Sequence, residues 1–144
     1  MVFLLKQKNA YIISNPLIAA NRSGEVTLSK FLRVIMPSFE RTVVIGGNLS
    51  VEPDLREVEL HSFDIARADN KIKRALDILL LQLKMSMKVL RYIRKKDTVF
   101  FWIGDKMLIP YLAAKGKGAQ INYFIYGKLN YFCEEGFIHI KICL

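Results

Sequence analysis

The sequence predicts an α/β fold, a Rossmann-like open parallel sheet with helices on both faces. Short apolar runs alternate along the chain with helical patterns, as they do where crossover helices join parallel strands. The clearest case is residues 97–127, where an apolar run, a short helix and a second β-branched run form one β-α-β unit of about thirty residues. Open parallel sheets bind ligands at the carboxyl ends of their strands, so this unit also indicates where a site is expected.

Composition indicates one folded domain. The chain has 144 residues, of which 52% are hydrophobic and 24% charged, enough for a substantial core. Its apolar runs fall short of the roughly 18 residues that a bilayer-spanning helix needs. The start lacks the features of a secretory signal, and both cysteines, Cys133 and Cys143, lie too close together for a disulfide framework. We therefore expect a cytoplasmic protein.

The first half of the chain predicts two buried strands, a helix and an edge strand. The apolar run 10–14 stops at Asn15-Pro16 and is a strand that leads into a loop. A helical pattern follows and ends at Pro37. Residues 41–47 form a second buried strand, and residues 57–64 alternate apolar and polar side chains as an edge strand does.

Residues 68–96 form the clearest helical pattern and carry most of the charge. Large apolar residues recur at spacings of three and four and define an apolar face: Ile72, Leu76, Leu79, Leu83, Met87 and Leu90. Nine basic residues and one acid lie between residues 71 and 96, so nearly all of the net charge of +9 belongs here. The cations predicted on the opposite side are candidates for contact with a membrane or an acidic partner: Lys84, Lys88, Arg91 and Lys95.

The tail differs from the rest of the chain. Residues 137–144 alternate like a strand up to the last residue, and no closing helix follows them. A doubly wound domain normally places a helix after its fifth strand. We therefore divide the chain into an α/β domain of residues 1–130 and a strand-like tail of residues 131–144, and we expect a truncated architecture.

Three stretches resemble the amino-terminal half of a two-domain, GT-B type glycosyltransferase of the retaining family called glycosyltransferase group 1 or family 4. SGEVTLSKFL (residues 23–32) is similar to that family's small-residue loop and G-G-x-E entry into its first helix. DTVFFWIG (residues 97–104) is similar to its fourth strand, which begins with aspartate and often ends in histidine. GAQINYFIYG (residues 118–127) is similar to its fifth strand, and the resemblance covers about residues 10–127.

The chain also departs from the family. Trp102 and Gly104 stand where the family often has a histidine, and Tyr126 stands where it often has another. The first loop has one glycine where a pair is usual, and nothing corresponds to the carboxyl-terminal half that binds the nucleotide sugar. The resemblance therefore implies an acceptor-side domain without its donor-side partner. Such a domain would transfer sugar from a nucleotide-sugar to a glycan or lipid-linked acceptor only with a separate donor-binding half, and would be inactive alone.

The resemblance implies substrate-binding roles for six residues: Gly24, Glu25, Trp102, Gly104, Asp105 and Tyr126. The first two would line the phosphate side, at a helix entry that favours anions. Trp102 to Asp105 would line the acceptor side. The same residues also suit ordinary roles: a capped helix entry, a core-edge aromatic followed by a capping aspartate, and a packing tyrosine. The sequence contains no recognisable nucleophile-base-acid triad, so the catalytic residues stay unassigned.

Other polar clusters give weaker signals. His61 has acidic neighbours along the chain, which suits acid-base chemistry as well as an ordinary surface histidine on an edge strand. The tail contains metal-ligand residue types at spacings that match no compact zinc pattern: Cys133, Glu134, Glu135, His139 and Cys143. Neither G-x-G-x-x-G nor a Walker loop is present. We expect no metal and no cofactor, the nucleotide-sugar being a substrate.

The basic helix supports a rival function of a different class. A non-catalytic α/β binding module could use it to dock on an acidic partner or an anionic membrane surface, because rows of lysine and arginine attract lipid headgroups. Such rows also attract nucleic-acid phosphates, but exposed aromatic platforms interleaved with the charge are lacking, which argues against nucleic acid. A solvated outer face is the third interpretation. The rival predicts a cytoplasmic protein at the membrane periphery.

Overall fold

The computed structural model describes residues 7–17, 22–66, 68–102 and 107–124. The strands in this part of the chain are β1 (Gln7–Ser14), β2 (Phe39–Gly47), β3 (Glu59–Phe63), β4 (Thr98–Trp102) and β5 (Gln120–Phe124). The helices are α1 (Arg22–Ile35), α2 (Lys71–Tyr92) and α3 (Leu108–Gly116), and a short 3-10 turn, Met36–Ser38, joins α1 to β2.

The strands form one parallel sheet in the order β3-β2-β1-β4-β5. The predicted fold class is therefore confirmed. Strand β1 lies in the middle of the sheet, and the chain then moves outward through β2 and β3 and returns through α2 to the other side of β1. At the carboxyl edge, Ser14 lies opposite both Gly46 of β2 and Trp102 of β4. The strand order reverses between β1 and β4, which is the position where open α/β sheets bind ligands.

Two cores lie on the two faces of the sheet. Alternate residues of β1 point to opposite faces, so Tyr11 and Ile13 belong to one core and Ala10 and Ile12 to the other. The first core lies under α2 and α3, and the second lies under α1. This double coverage explains why residues 10–13 of β1 and 43–45 of β2 are apolar and buried, since neither face of the sheet meets water there.

Helix α2 buries a different face from the one that its most regular apolar row indicates. Its buried residues are Leu81, Met85, Ser86 and Val89. The six residues of that row are all exposed: Ile72, Leu76, Leu79, Leu83, Met87 and Leu90. The helix has two apolar stripes with similar spacing, and only one of them fits against the sheet.

The end of α2 also differs from the sequence expectation. The helix stops at Tyr92, so Lys95 lies beyond it in the turn that leads to β4. A carboxylate oxygen of Asp97 accepts a hydrogen bond from the Arg94 N–H at 2.8 Å within this turn. None of the described helices is long and apolar enough to cross a membrane. The boundary between the predicted domain and the tail of residues 131–144 lies outside the described residues.

Candidate functional site

The first turn of α1 lies at the carboxyl edge of the sheet. After β1, the Leu17 N–H donates to the Gly47 carbonyl at 3.0 Å, so the chain crosses the end of β2 before α1 begins. A Cβ atom added to Gly24 would lie 3.2 Å from Leu17 Cδ2, so a glycine lets the helix approach this segment closely. The sequence order β1-loop-α1 therefore brings Gly24 and Glu25 to the edge where a ligand is expected.

The electrostatics of this helix entry act in two directions. The first N–H groups of a helix have no partner within it, and its dipole favours an anion there. Glu25 already places a carboxylate in the first turn of α1. The Thr27 hydroxyl donates to the Ser23 carbonyl at 2.6 Å and ties down the same turn. Glu25 stabilises the helix, but its negative charge opposes the approach of a second anion.

Trp102 belongs to the core at this edge. Its side chain is buried, and its ring centre lies 4.7 Å from that of Phe31 on α1. Phe31 in turn meets Phe100 edge-on at 5.7 Å, so the three rings pack between α1 and the sheet. A tryptophan in this position presents no open ring face to a sugar. Three other predicted site residues lie outside the described residues: Gly104, Asp105 and Tyr126.

Helix α2 provides a second candidate surface. We call its exposed apolar residues the apolar row: Ile72, Leu76, Leu79, Leu80, Leu83, Met87 and Leu90. Successive helix residues are about 100° apart, so these side chains occupy one continuous side opposite the buried Met85. The row extends sideways, since Leu108 and Leu112 of the neighbouring α3 are also more than half exposed. Sequence reasoning missed both the exposure of this row and the membership of Leu80.

Cations border the apolar row on one side. We call this the basic flank: Lys73, Lys84, Lys88 and Arg91. Lys88 Nζ lies 5.5 Å from the ring centre of Tyr92, and the Arg91 guanidinium lies 5.8 Å from it. Lys95, which was predicted on the same face, instead packs its side chain beside Gly118. The flank therefore contains three of the four predicted cations and adds Lys73.

A small cleft opens between the basic flank and the end of β3. It encloses about 210 Å³ and lies beside Phe63, Asp64, Lys73, Asp77 and Lys84. The cleft is open to solvent, and its charged lining is mixed. It extends the basic flank toward the carboxyl edge and gives no enclosed site for a small molecule.

His61 has partners that fix its position. Its Nε2 lies 2.8 Å from Glu59 Oε1, and its ring lies 5.2 Å from that of Tyr92. Glu59 also binds Arg41, whose guanidinium, with His61, lowers the pKa of the Glu59 carboxyl. This group ties β2, β3 and α2 together at the amino end of β3, away from the carboxyl edge. In the described part of the chain, no three metal-ligand residue types come together.

Comparison with known proteins supports the fold. No family model and no curated protein match the chain. Two crystal structures of the C-terminal domain of a hydrogenase from Pyrococcus furiosus are similar to it, each with a TM-score of 0.53. One is 11% identical and the alignment covers 87% of this chain and 97% of that one. The other is 14% identical, with 83% and 94% covered. At these identities the similarity shows a shared α/β fold alone.

Proposed function

We propose that this chain is the acceptor-side domain of a GT-B type glycosyltransferase. With a separate donor-binding domain or subunit, it would help transfer a sugar from a nucleotide-sugar to a glycan or lipid-linked acceptor. The three stretches at residues 23–32, 97–104 and 118–127 support this proposal, and so does the parallel sheet on which the resembled family builds the same half.

One observation carries the proposal. The first turn of α1 lies against Leu17, which follows β1 and bonds the end of β2, on the β2 side of the point where the strand order reverses. In this proposal the backbone N–H groups around Gly24 face a phosphate of the donor, and Glu25 lies beside them in the same turn. The buried Trp102 supports α1 through its contact with Phe31. We assign the contacts with the acceptor to Gly104, Asp105 and Tyr126, and this assignment stays a prediction.

Binding measurements test this function. Calorimetric titration of the full chain, alone and with the proteins encoded by neighbouring genes, should show saturable binding of a nucleotide-sugar or an acceptor glycan. Gly24→Asp adds bulk and negative charge at the proposed phosphate side, while an acid in the first turn suits the helix dipole. We expect it to weaken nucleotide-sugar binding by about tenfold or more, which corresponds to about 1.4 kcal/mol.

Ser38→Asp is the matched control, because Ser38 is exposed in the 3-10 turn that follows the other end of α1. It should leave binding unchanged, and circular dichroism should show that both variants are folded. Absence of saturable binding under every condition would refute the proposal. Equal losses in the two variants would refute the assignment of Gly24 to the phosphate side.

A second candidate function follows from a separate observation. The apolar row and the basic flank of α2 form a surface suited to docking, which is the activity of a non-catalytic α/β binding module. The two functions are compatible, since a transferase with a lipid-linked acceptor also needs to reach a membrane. They separate experimentally: a docking module associates through α2 and shows no saturable nucleotide-sugar binding.

A further inference from the structure

The apolar row is larger than a water-facing helix surface usually allows. Its seven aliphatic side chains are between 45% and 72% exposed. Together they expose on the order of several hundred Å², and contiguous apolar patches of that size on soluble monomers usually mark interaction sites. The row does not serve the core, because Leu81, Met85 and Val89 already fill the space between α2 and the sheet.

The shape of α2 makes the row accessible. The helix has 22 residues and is therefore about 33 Å long. None of the residues 71–80 is buried, so the first turns of α2 add no side chain to the core of the described residues. Ile72, the most exposed residue of the row, lies in this part. A flat or broad partner could therefore contact the row along its whole length.

The side-chain chemistry distinguishes between a lipid and a protein partner. The row consists of leucine, isoleucine and methionine, without an aromatic ring or a hydrogen-bonding group. Specific protein interfaces are usually anchored by tyrosine, tryptophan or arginine at their centre. A bilayer surface needs only apolar area, with cations beside it to meet anionic headgroups. The composition of the apolar row therefore favours a bilayer surface over a protein partner.

The distribution of charge on α2 also favours a lipid partner over a protein partner. Asp77 is the single acid in α2, against the four cations of the basic flank. The ion pairs within the described ranges join Arg33 to Glu52 and Asp54, and Glu59 to Arg41 and His61, so the flank takes part in none of them. Long basic side chains can extend toward headgroups while the stems stay in apolar surroundings. A second copy of the chain would bring another strongly basic surface, so its charge is unfavourable.

We propose that α2 docks on an anionic lipid bilayer. The helix lies in the plane of the membrane, the apolar row enters the boundary between headgroups and acyl chains, and the basic flank contacts anionic headgroups. This inference rests on the docking function proposed above and is independent of the sugar-transfer function. It names the partner as the lipid surface itself and assigns the apolar row, rather than the cations alone, to binding.

Vesicle flotation tests the proposal with the full chain. Vesicles of phosphatidylcholine alone are compared with vesicles in which about one third of the lipid is phosphatidylglycerol, at low salt and at several times that salt concentration. We expect binding to the anionic vesicles, much weaker binding to the neutral ones, and partial loss at high salt because exposed charges are screened.

Three variants separate the contributions. The row variant is Leu76→Gln/Leu83→Gln/Met87→Gln, and the flank variant is Lys84→Glu/Lys88→Glu/Arg91→Glu. The control, Arg22→Glu/Lys30→Glu/Arg56→Glu, reverses the same number of exposed cations on the side of the sheet that carries α1. We expect the row and flank variants to lose about tenfold or more in binding, and the control to stay within about twofold. Circular dichroism checks that each variant is folded.

Each other outcome has a defined meaning. If the row variant binds as well as the wild type, or the control loses as much as the flank variant, the proposal is overturned. If the protein does not bind vesicles but gel filtration shows a dimer that the row variant abolishes, the partner that covers the apolar row is a second copy of the chain. If only a designed amphipathic peptide with glutamate flanks binds, the occupant is an acidic helix. In both cases docking survives and the lipid proposal fails, whereas absence of all three interactions refutes docking as well.

Discussion

Gly46 shows how little space remains between neighbouring strands at the carboxyl edge. A Cβ atom at this position would lie 2.8 Å from the Ser14 carbonyl oxygen and 3.0 Å from Leu49 Cδ2. The first of these neighbours belongs to the backbone of the central strand β1, which cannot move without disturbing the pairing of β1 and β2. The glycine is therefore needed for packing and not for an unusual backbone angle.

We expect Gly46→Ala to lower the free energy of unfolding by about 1–3 kcal/mol, the usual cost of overpacking a core. Gly116→Ala is the control, because an added Cβ there meets nothing within 4 Å at the end of α3. Alanine favours helix, so this change should be neutral or stabilising by up to about 1 kcal/mol. Urea unfolding of the two variants checks the difference. Equal effects of the two substitutions would show that the close approach of Ser14 to Gly46 does not exclude a larger side chain at this position.

Tyr123 gives the protein a predictable response to high pH. Its ring stacks on Phe101 at 5.3 Å, and burial, with a smaller effect of Tyr111, raises the pKa of its phenol to about 12. The unfolded phenol ionises near its ordinary value of about 10. The folded state therefore resists ionisation, and its advantage is complete below about pH 10 and lost as the pH rises toward 12.

Urea unfolding between pH 9 and 12 should show this loss of stability. Tyr123→Phe cannot ionise, so we expect its unfolding midpoint to fall less steeply over the same pH range. Lysines also titrate there, and the comparison of the two proteins cancels their contribution. A variant that follows the wild type throughout would mean that Tyr123 ionises equally easily in both states.

At the scale of the element, α2 shows why a helix pattern does not determine the buried face. Met85 is fully buried, whereas Met87, two residues later, is 64% exposed. Both residues belong to apolar stripes with helical spacing, and the sequence favours the stripe that contains Met87. The shape of the sheet surface decides between the stripes, and that information is distributed over β1, β2 and β4.

This pair of methionines gives a direct test of the helix orientation. We expect Met85→Ala to cost about 2–5 kcal/mol of folding stability, because it leaves a cavity in the core. Met87→Ala removes the same atoms from an exposed position and should change stability by no more than about 0.5 kcal/mol. Chemical unfolding measures both. The reverse order of effects would mean that α2 is rotated about its axis.

For the molecule as a whole, the sequence predicted the sheet better than it predicted the site. Residues 43–45 of β2 and 99–102 of β4 are apolar because both faces of the sheet are covered, so their place in the core could be predicted from the sequence. The β-α order likewise placed Gly24 at the carboxyl edge. The burial of Trp102 could not be predicted from the sequence, since an aromatic residue at a strand end suits ligand stacking and core packing equally. Trp102 and Phe31 are far apart in the sequence and come together only in the folded protein, so no local sequence pattern predicts their contact.

The distribution of charge over the whole molecule leads to a last expectation. A net charge of +9 disfavours the compact state through self-repulsion, and most of it is concentrated between residues 71 and 96. Salt screens such repulsion over about 10 Å at 0.1 M. The melting temperature should therefore rise by a few degrees as sodium chloride increases from about 0.01 to 0.2 M, equivalent to about 1 kcal/mol.

Two variants of equal net charge show whether total charge or its location matters. The flank variant, Lys84→Glu/Lys88→Glu/Arg91→Glu, breaks up the cluster on α2, while Arg22→Glu/Lys30→Glu/Arg56→Glu leaves the cluster intact. If the cluster is responsible, the second variant keeps the rise in melting temperature with salt and the flank variant loses most of it. Loss in both variants would assign the effect to total charge. A wild-type melting temperature that does not rise with salt would show that the α2 cations do not repel one another appreciably in the folded protein.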